Sequence, residues 1–206
     1  MSRGDWFRHN DWNLEIEEDF NAHLRRARDK VQPLKIQAAI LAETRPAVAV
    51  RLLDRYFESG DALFIAQAHS TLAKARVNLG DVAGAAASFE AALQRETEFP
   101  NLKTNSFVEY PLLVAQHRLA DRYHAALRVL ESRKSDLAFP VQEFMWHAAC
   151  AIISSEQGSV TTAATEARAA LAAAAKDSSD LRYHRSLGLV GDSFPALRER
   201  LRGLSA

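Results

Sequence analysis

The chain has 206 residues, with 26 basic and 26 acidic side chains and one cysteine, Cys150. That length suffices for one domain with its own core or for one continuous solenoid. The balanced charge gives no global attraction to nucleic acid or anionic lipid, the single thiol permits no intrachain disulfide, and no apolar run reaches the roughly 18 residues of a membrane helix. The first 30 residues are dense in Asp, Glu and Arg, unlike a secretory signal, so the expectation is a soluble, cytoplasmic protein. Alanine is abundant, while Gly and Pro are few and fall at punctuation points, which predicts an all-helical chain.

Residues 1–10 carry Trp6 and Phe7 without periodicity. Asn10 or Asp11 is expected to cap a first helix reaching about Asp29, with Trp12, Ile16, Phe20 and Leu24 on one stripe. Pro33 opens a second helix, through Glu43. Pro46 opens a third, to about Glu58, with Val50, Leu53 and Phe57 turned inward. Ser59-Gly60-Asp61 stops it, and helices over 62–79 and 82–97 follow. After Pro100-Asn101, helices over 104–119 and 122–133 meet at Leu119-Ala120-Asp121. Pro140 begins a helix to Gln157, and Gly158 turns into one bearing Ala163, Ala170 and Leu171. A short helical segment near Leu181–Leu187 and a last helix capped by Ser193, with Pro195, Leu197 and Leu201, complete the chain.

The stretch Ala66 to Leu93, AQAHSTLAKARVNLGDVAGAAASFEAAL, carries the strongest pattern. Leu72 and Ala73 form a tight middle, Leu79-Gly80-Asp81 a turn, and Ala85, Phe89, Ala92 and Leu93 a packing stripe. This unit resembles a tetratricopeptide (TPR) repeat, best over residues 66–97, with weaker copies at 34–60, 104–133 and 141–175. Turns at Thr44, Gly80, Ala120 and Gly158 recur at 36, 40 and 38 residues, longer than the roughly 34 of that family. The resemblance implies an all-α, right-handed solenoid of antiparallel helix pairs in a single domain, 1–206. Residues 1–32 would be an aromatic arm and capping helix, 33–175 the helix pairs, and 176–206 a C-terminal capping segment.

In a TPR superhelix the first helix of each pair lines the concave side. Carried over, the groove would present Gln67, Ser70, Lys74 and Asn78, then Phe107, Tyr110, Val114, His117 and Arg118, then Met145, Ala148, Ile152 and Ser155. It runs from polar to apolar, so either a partner's peptide or helix docks there or the chain's own segment, about 181–203, folds back over it. The paired basic residues with which some TPR domains grip a C-terminal carboxylate are missing beyond Lys74 and Asn78. Trp6, Phe7, Arg8 and Trp12 are open to two readings, a recognition arm or a cap packed on the first helices.

Other chemistry is thinly represented. His147 and Cys150 lie one helical turn apart, but no third metal ligand is evident. No GxxxxGK[ST], GxGxxG or GxSxG occurs, so neither enzyme nor cofactor is indicated. The basic clusters Arg25, Arg26, Arg28, Lys30, Lys35 and Arg198, Arg200, Arg202 are interleaved with Asp29 and Glu199, the pattern of solvated faces and not of a nucleic-acid stripe. The expected function is non-catalytic binding of a protein or peptide partner in the groove, as adaptor, regulator or assembly factor. A homo-oligomeric structural module and a small-molecule sensor are the alternatives.

Overall fold

Ten α-helices and two 3₁₀ turns, with no strand, account for the regular structure among the described residues, which in this computed structural model are 6–61, 63–179 and 181–206. The helices are α1 (Leu14–Arg26), α2 (Val31–Leu41), α3 (Pro46–Glu58), α4 (Ile65–Asn78), α5 (Val82–Glu98), α6 (Ser106–Gln116), α7 (Tyr123–Ser132), α8 (Pro140–Glu156), α9 (Val160–Ala174) and α10 (Pro195–Ser205). They fall into two compact units, Met1–Ser106 and Phe107–Ala206.

In the first unit, helix starts follow local side chains. Asn13, not Asn10 or Asp11, caps α1, its Oδ1 accepting from Ile16 N at 2.9 Å. Asp29 sets the start of α2, two residues before the expected Pro33, by accepting from Val31 N (2.9 Å) and Gln32 N (3.2 Å). Pro46 opens α3 as expected, where its missing N–H costs nothing. Helices α2 with α3, α3 with α4, and α4 with α5 pack successively. One core joins Trp12, Phe20, Leu24, Leu34, Leu41, Leu52, Leu53 and Tyr56. The inward positions of α3 are thus Ala49, Leu52, Leu53 and Tyr56, while Val50 and Phe57 are only partly buried. A helix contacted on two sides buries a wider stripe than a simple i, i+3, i+7 reading assigns.

The second unit centres on α8, which buries Phe144, Ala148, Ala149, Cys150, Ala151, Ile152 and Ile153. Helix α9 faces it with Ala163, Ala167, Ala170 and Ala173, small residues that let the two backbones approach closely. Helix α10 packs on α9 and α8 through Leu197 and Leu201.

Three turns share one geometry. Gly80, Arg118 and Gly158 have φ of 77°, 54° and 78°, and the next amide reaches back to the helix in each: Asp81 N to Arg76 O, Leu119 N to Val114 O, Ser159 N to Ser154 O. The steps between the left-handed residues are 38 and 40. The structural equivalent of Gly80 is therefore Arg118, two residues before the expected Ala120.

Two C-terminal expectations are corrected. Residues 181–187 form turns, not a helix, held by Ser179 N to Arg185 O (2.7 Å) and Ser179 Oγ to His184 O (3.1 Å). Ser193 does not cap α10; Phe194, at φ 60°, occupies the N-cap without a side-chain bond.

Candidate functional site

Helices α2 and α4 are parallel neighbours, and their contacts at both ends establish this. At the C-terminal end Asn78 Nδ2 donates to Ala42 O at 3.1 Å. At the N-terminal end Val31, Gln32 and Lys35 of α2 share a recess of about 380 Å³ with Asp29, Asp61 and Phe64. Between these ends α4 presents Gln67, Thr71, Lys74 and Asn78, spaced by four, three and four residues and therefore on one face.

In the recess the Lys35 ammonium sits 3.6 Å from the centroid of the Phe64 ring. Burial lowers the proton affinity of Lys35, and the carboxylates of Asp61 and Asp29 oppose that effect. Burial acts to raise the Asp61 carboxyl, but hydrogen bonds from the Tyr56 hydroxyl and from Leu63 and Phe64 N–H, together with Lys35, outweigh it and hold the group below its ordinary value. The Tyr56 phenol is pushed up, first by burial and then by Asp61. The loop entering α4 is thus pinned to α3 by an acid that also faces Lys35. Chemically the recess combines an apolar wall, a cation resting on a ring and two anions already committed to backbone N–H donors.

The groove residues named from sequence fare unequally. Lys74 and Asn78 are exposed, and Gln67 is half-buried with its Oε1 buried and without a hydrogen-bond partner among the described residues. Ser70 is buried, so half-buried Thr71, its hydroxyl donating to Gln67 O at 2.9 Å, takes its place on the stripe. Phe107 and Tyr110 are also buried and, as placed, offer no anchoring area to a partner. The aromatic positions of α6 belong to its packed side. His117 and Arg118 are exposed at the turn after α6, where Arg118 Nε lies 3.0 Å from Glu156 Oε1. Ala148 and Ile152 are core residues of α8.

The N-terminal aromatic segment is packed as a cap. Trp12 is buried, Trp6 and Phe7 lie against the core of the first unit, and Trp6 stacks on His23 with centroids 5.4 Å apart. Arg8 remains exposed, over the Phe7 ring. Lys35, Asp61 and Phe64 were not legible as a site: Lys35 reads as one cation of a basic run, and Asp61 as part of a helix stop. Their only sequence signal is an acid just before Phe64 at the mouth of the strongest repeat.

His147 Nδ1 lies 2.6 Å from Glu166 Oε2, and the Cys150 thiol is buried, pushed up to about 12 by desolvation and then by Glu166. Among the described residues no group of three or more His, Cys, Asp or Glu is placed to hold a metal ion. No helix among them is long and apolar enough to cross a membrane. Comparison with protein-family models, curated proteins and solved structures finds no match to this chain. The fold defines an all-α protein of successively packed helices, consistent with a helical-repeat architecture in general.

Proposed function

We propose that this chain is a non-catalytic protein-interaction module of the TPR-like kind, a single right-handed solenoid acting in the cytoplasm, and that it binds a partner's peptide or helix along the α2/α4 face. The observation that carries the reading is the parallel α2/α4 pair, whose stripe of half-buried Thr71 and exposed Lys74 and Asn78 leads into the Lys35/Phe64 recess. An extended segment would lie along the stripe, with polar groups setting its register. One of its side chains would enter the recess against Phe64 and Lys35, since a desolvated pocket beside an aromatic ring is where binding energy concentrates.

The test is capture from native lysate with wild type, with Lys35→Glu/Lys74→Glu, and with His117→Glu as a control on the other unit. A partner lost only from the double variant, with helicity intact by circular dichroism, supports the reading. A partner retained by it removes this face from the function. Absence of any partner, together with a concentration-dependent dimer by light scattering, would favour a homo-oligomeric module. The recess volume also suits a small ligand, which gives a second reading as a metabolite sensor. A thermal shift with a metabolite panel, abolished by Phe64→Ala, distinguishes it.

A further inference from the structure

A second recess, of about 200 Å³, opens elsewhere on the first unit and is lined by Asn21, Leu24 and Arg25 of α1, Lys30 of the α1–α2 loop and Arg55 of α3. Its wall combines buried Leu24 with three exposed cationic side chains drawn from three separate segments. Arg55 is oriented by a 2.9 Å hydrogen bond from Nη1 to Asn21 Oδ1. Among the described residues Arg25, Lys30 and Arg55 form no ion pair. Of the carboxylates near them in sequence, Asp19 pairs with His23 and Glu17 and Asp29 are engaged elsewhere, while Asp54 and Glu58, on the same helix as Arg55, form no ion pair with it among the described residues. Glu17 accepts from Trp12 Nε1 and from Arg51, and Asp29 accepts from the first amides of α2. Three like charges around one small cavity repel one another, and an anion placed among them relieves that repulsion.

We propose that this recess is a binding site for a phosphate monoester. A phosphate dianion carries nearly two charges and three acceptor oxygens, which match two guanidinium forks and an ammonium; a carboxylate offers one charge and two oxygens. The cavity is large enough for the phosphate group and a short carbon stem. The monoester is either a small phosphorylated metabolite or a phosphorylated side chain of a partner, and the recognising chemistry is the same. This site is separate from the α2/α4 stripe, so it stands whether or not a peptide binds there.

The experiment is calorimetric titration of the full chain with inorganic phosphate, glycerol 3-phosphate, a phosphoserine pentapeptide and acetate. Phosphate and one of the two monoesters are expected to bind, and acetate at least about tenfold more weakly. Arg25→Ala/Arg55→Ala should weaken binding by about tenfold or more, and Arg128→Ala, an exposed cation of the other unit, should leave it within about threefold. Lys30→Glu, a surface change at the N-cap of α2, where the Lys30 side chain makes no capping bond, should weaken it in the same direction. Preference for glycerol 3-phosphate assigns a small ligand, and preference for the phosphopeptide assigns a modified partner. No heat with any phosphate up to about 10 mM, equal binding of acetate, or unchanged affinity in both the double variant and Lys30→Glu would overturn the proposal.

Discussion

His9 and Gln37 hold each other through two hydrogen bonds across 28 residues of sequence: His9 N donates to Gln37 Oε1 at 2.9 Å, and Gln37 Nε2 donates to His9 O at 2.7 Å. Gln37 is fully buried, so a side-chain amide in the middle of α2 replaces the backbone partner that the N-terminal segment lacks. This pairing turns Trp6 and Phe7 onto the core and accounts for the segment's behaviour as a cap.

Gln37→Ala is therefore expected to cost about 2–3 kcal/mol, from two lost bonds and the small cavity left behind. Gln37→Glu should cost at least as much near neutral pH, because a carboxylate cannot donate to His9 O and full burial opposes its charge. Urea unfolding measures both. Equal stability of wild type and Gln37→Ala would mean that the segment is held by its aromatic rings alone.

The left-handed turn residues give opposite expectations at equivalent places. Gly80→Ala meets no atom within 4 Å but must hold φ 77°, so the change should cost about 1 kcal/mol from the backbone alone. Arg118 already sustains φ 54° with a side chain. Arg118→Gly should be neutral or stabilising by up to about 1 kcal/mol, since the exposed pair with Glu156 contributes little. Thermal unfolding of the two variants side by side tests the assignment of Arg118 as the counterpart of Gly80.

Gly188→Ala faces both restrictions at once. Its φ is 72°, and an added Cβ would lie 2.5 Å from the Phe139 ring, while Gly188 O accepts from Val141 N at 2.8 Å. The substitution should detach residues 181–190 from the start of α8, costing about 2–3 kcal/mol. Faster proteolysis near Arg182 and Arg185 would report it, and an unchanged cleavage rate would show that the segment is held by other contacts.

His69 stacks on Phe57 at 4.7 Å, and burial, aided by Arg76, keeps its imidazole below the ordinary value of 6.5. Below that value the unfolded chain takes up the proton before the folded one does. Stability is thus unaffected above pH 6.5 and falls as pH drops below it towards the folded value. His69→Phe should flatten this part of the pH profile of Tm. Asp61, held below 3.8, adds a separate loss only at still lower pH, where its carboxyl protonates. A profile that keeps its slope below 6.5 in His69→Phe would assign the loss to another group.

Cys150 is buried and its thiol is pushed up to about 12, so native thiolate is scarce near neutral pH. Labelling by an aromatic disulfide near pH 8 should be at least about 100-fold slower in the native protein than in urea. Comparable rates would show that α8 opens readily.

The helix content, most helix boundaries and the α4–α5 hairpin were legible in the sequence because they depend on local chemistry. Alanine density, Pro46 and Pro140 at first-turn positions, and the Gly80 and Gly158 turns act within one or two turns of chain. The faces were less legible. Ser70 and Thr71 are adjacent and both suit a polar helix face, and only the helices packed beside α4 decide that Ser70 is buried. Phe107 and Tyr110 have the same spacing whether they form an anchoring surface or a core, and burial decided for the core. The two recesses depend wholly on tertiary structure. Lys35 meets Phe64, and Arg25 and Arg55 line one recess, because separate segments pack side by side, and the distance in sequence that separates such residues carries no signal of the space between their side chains.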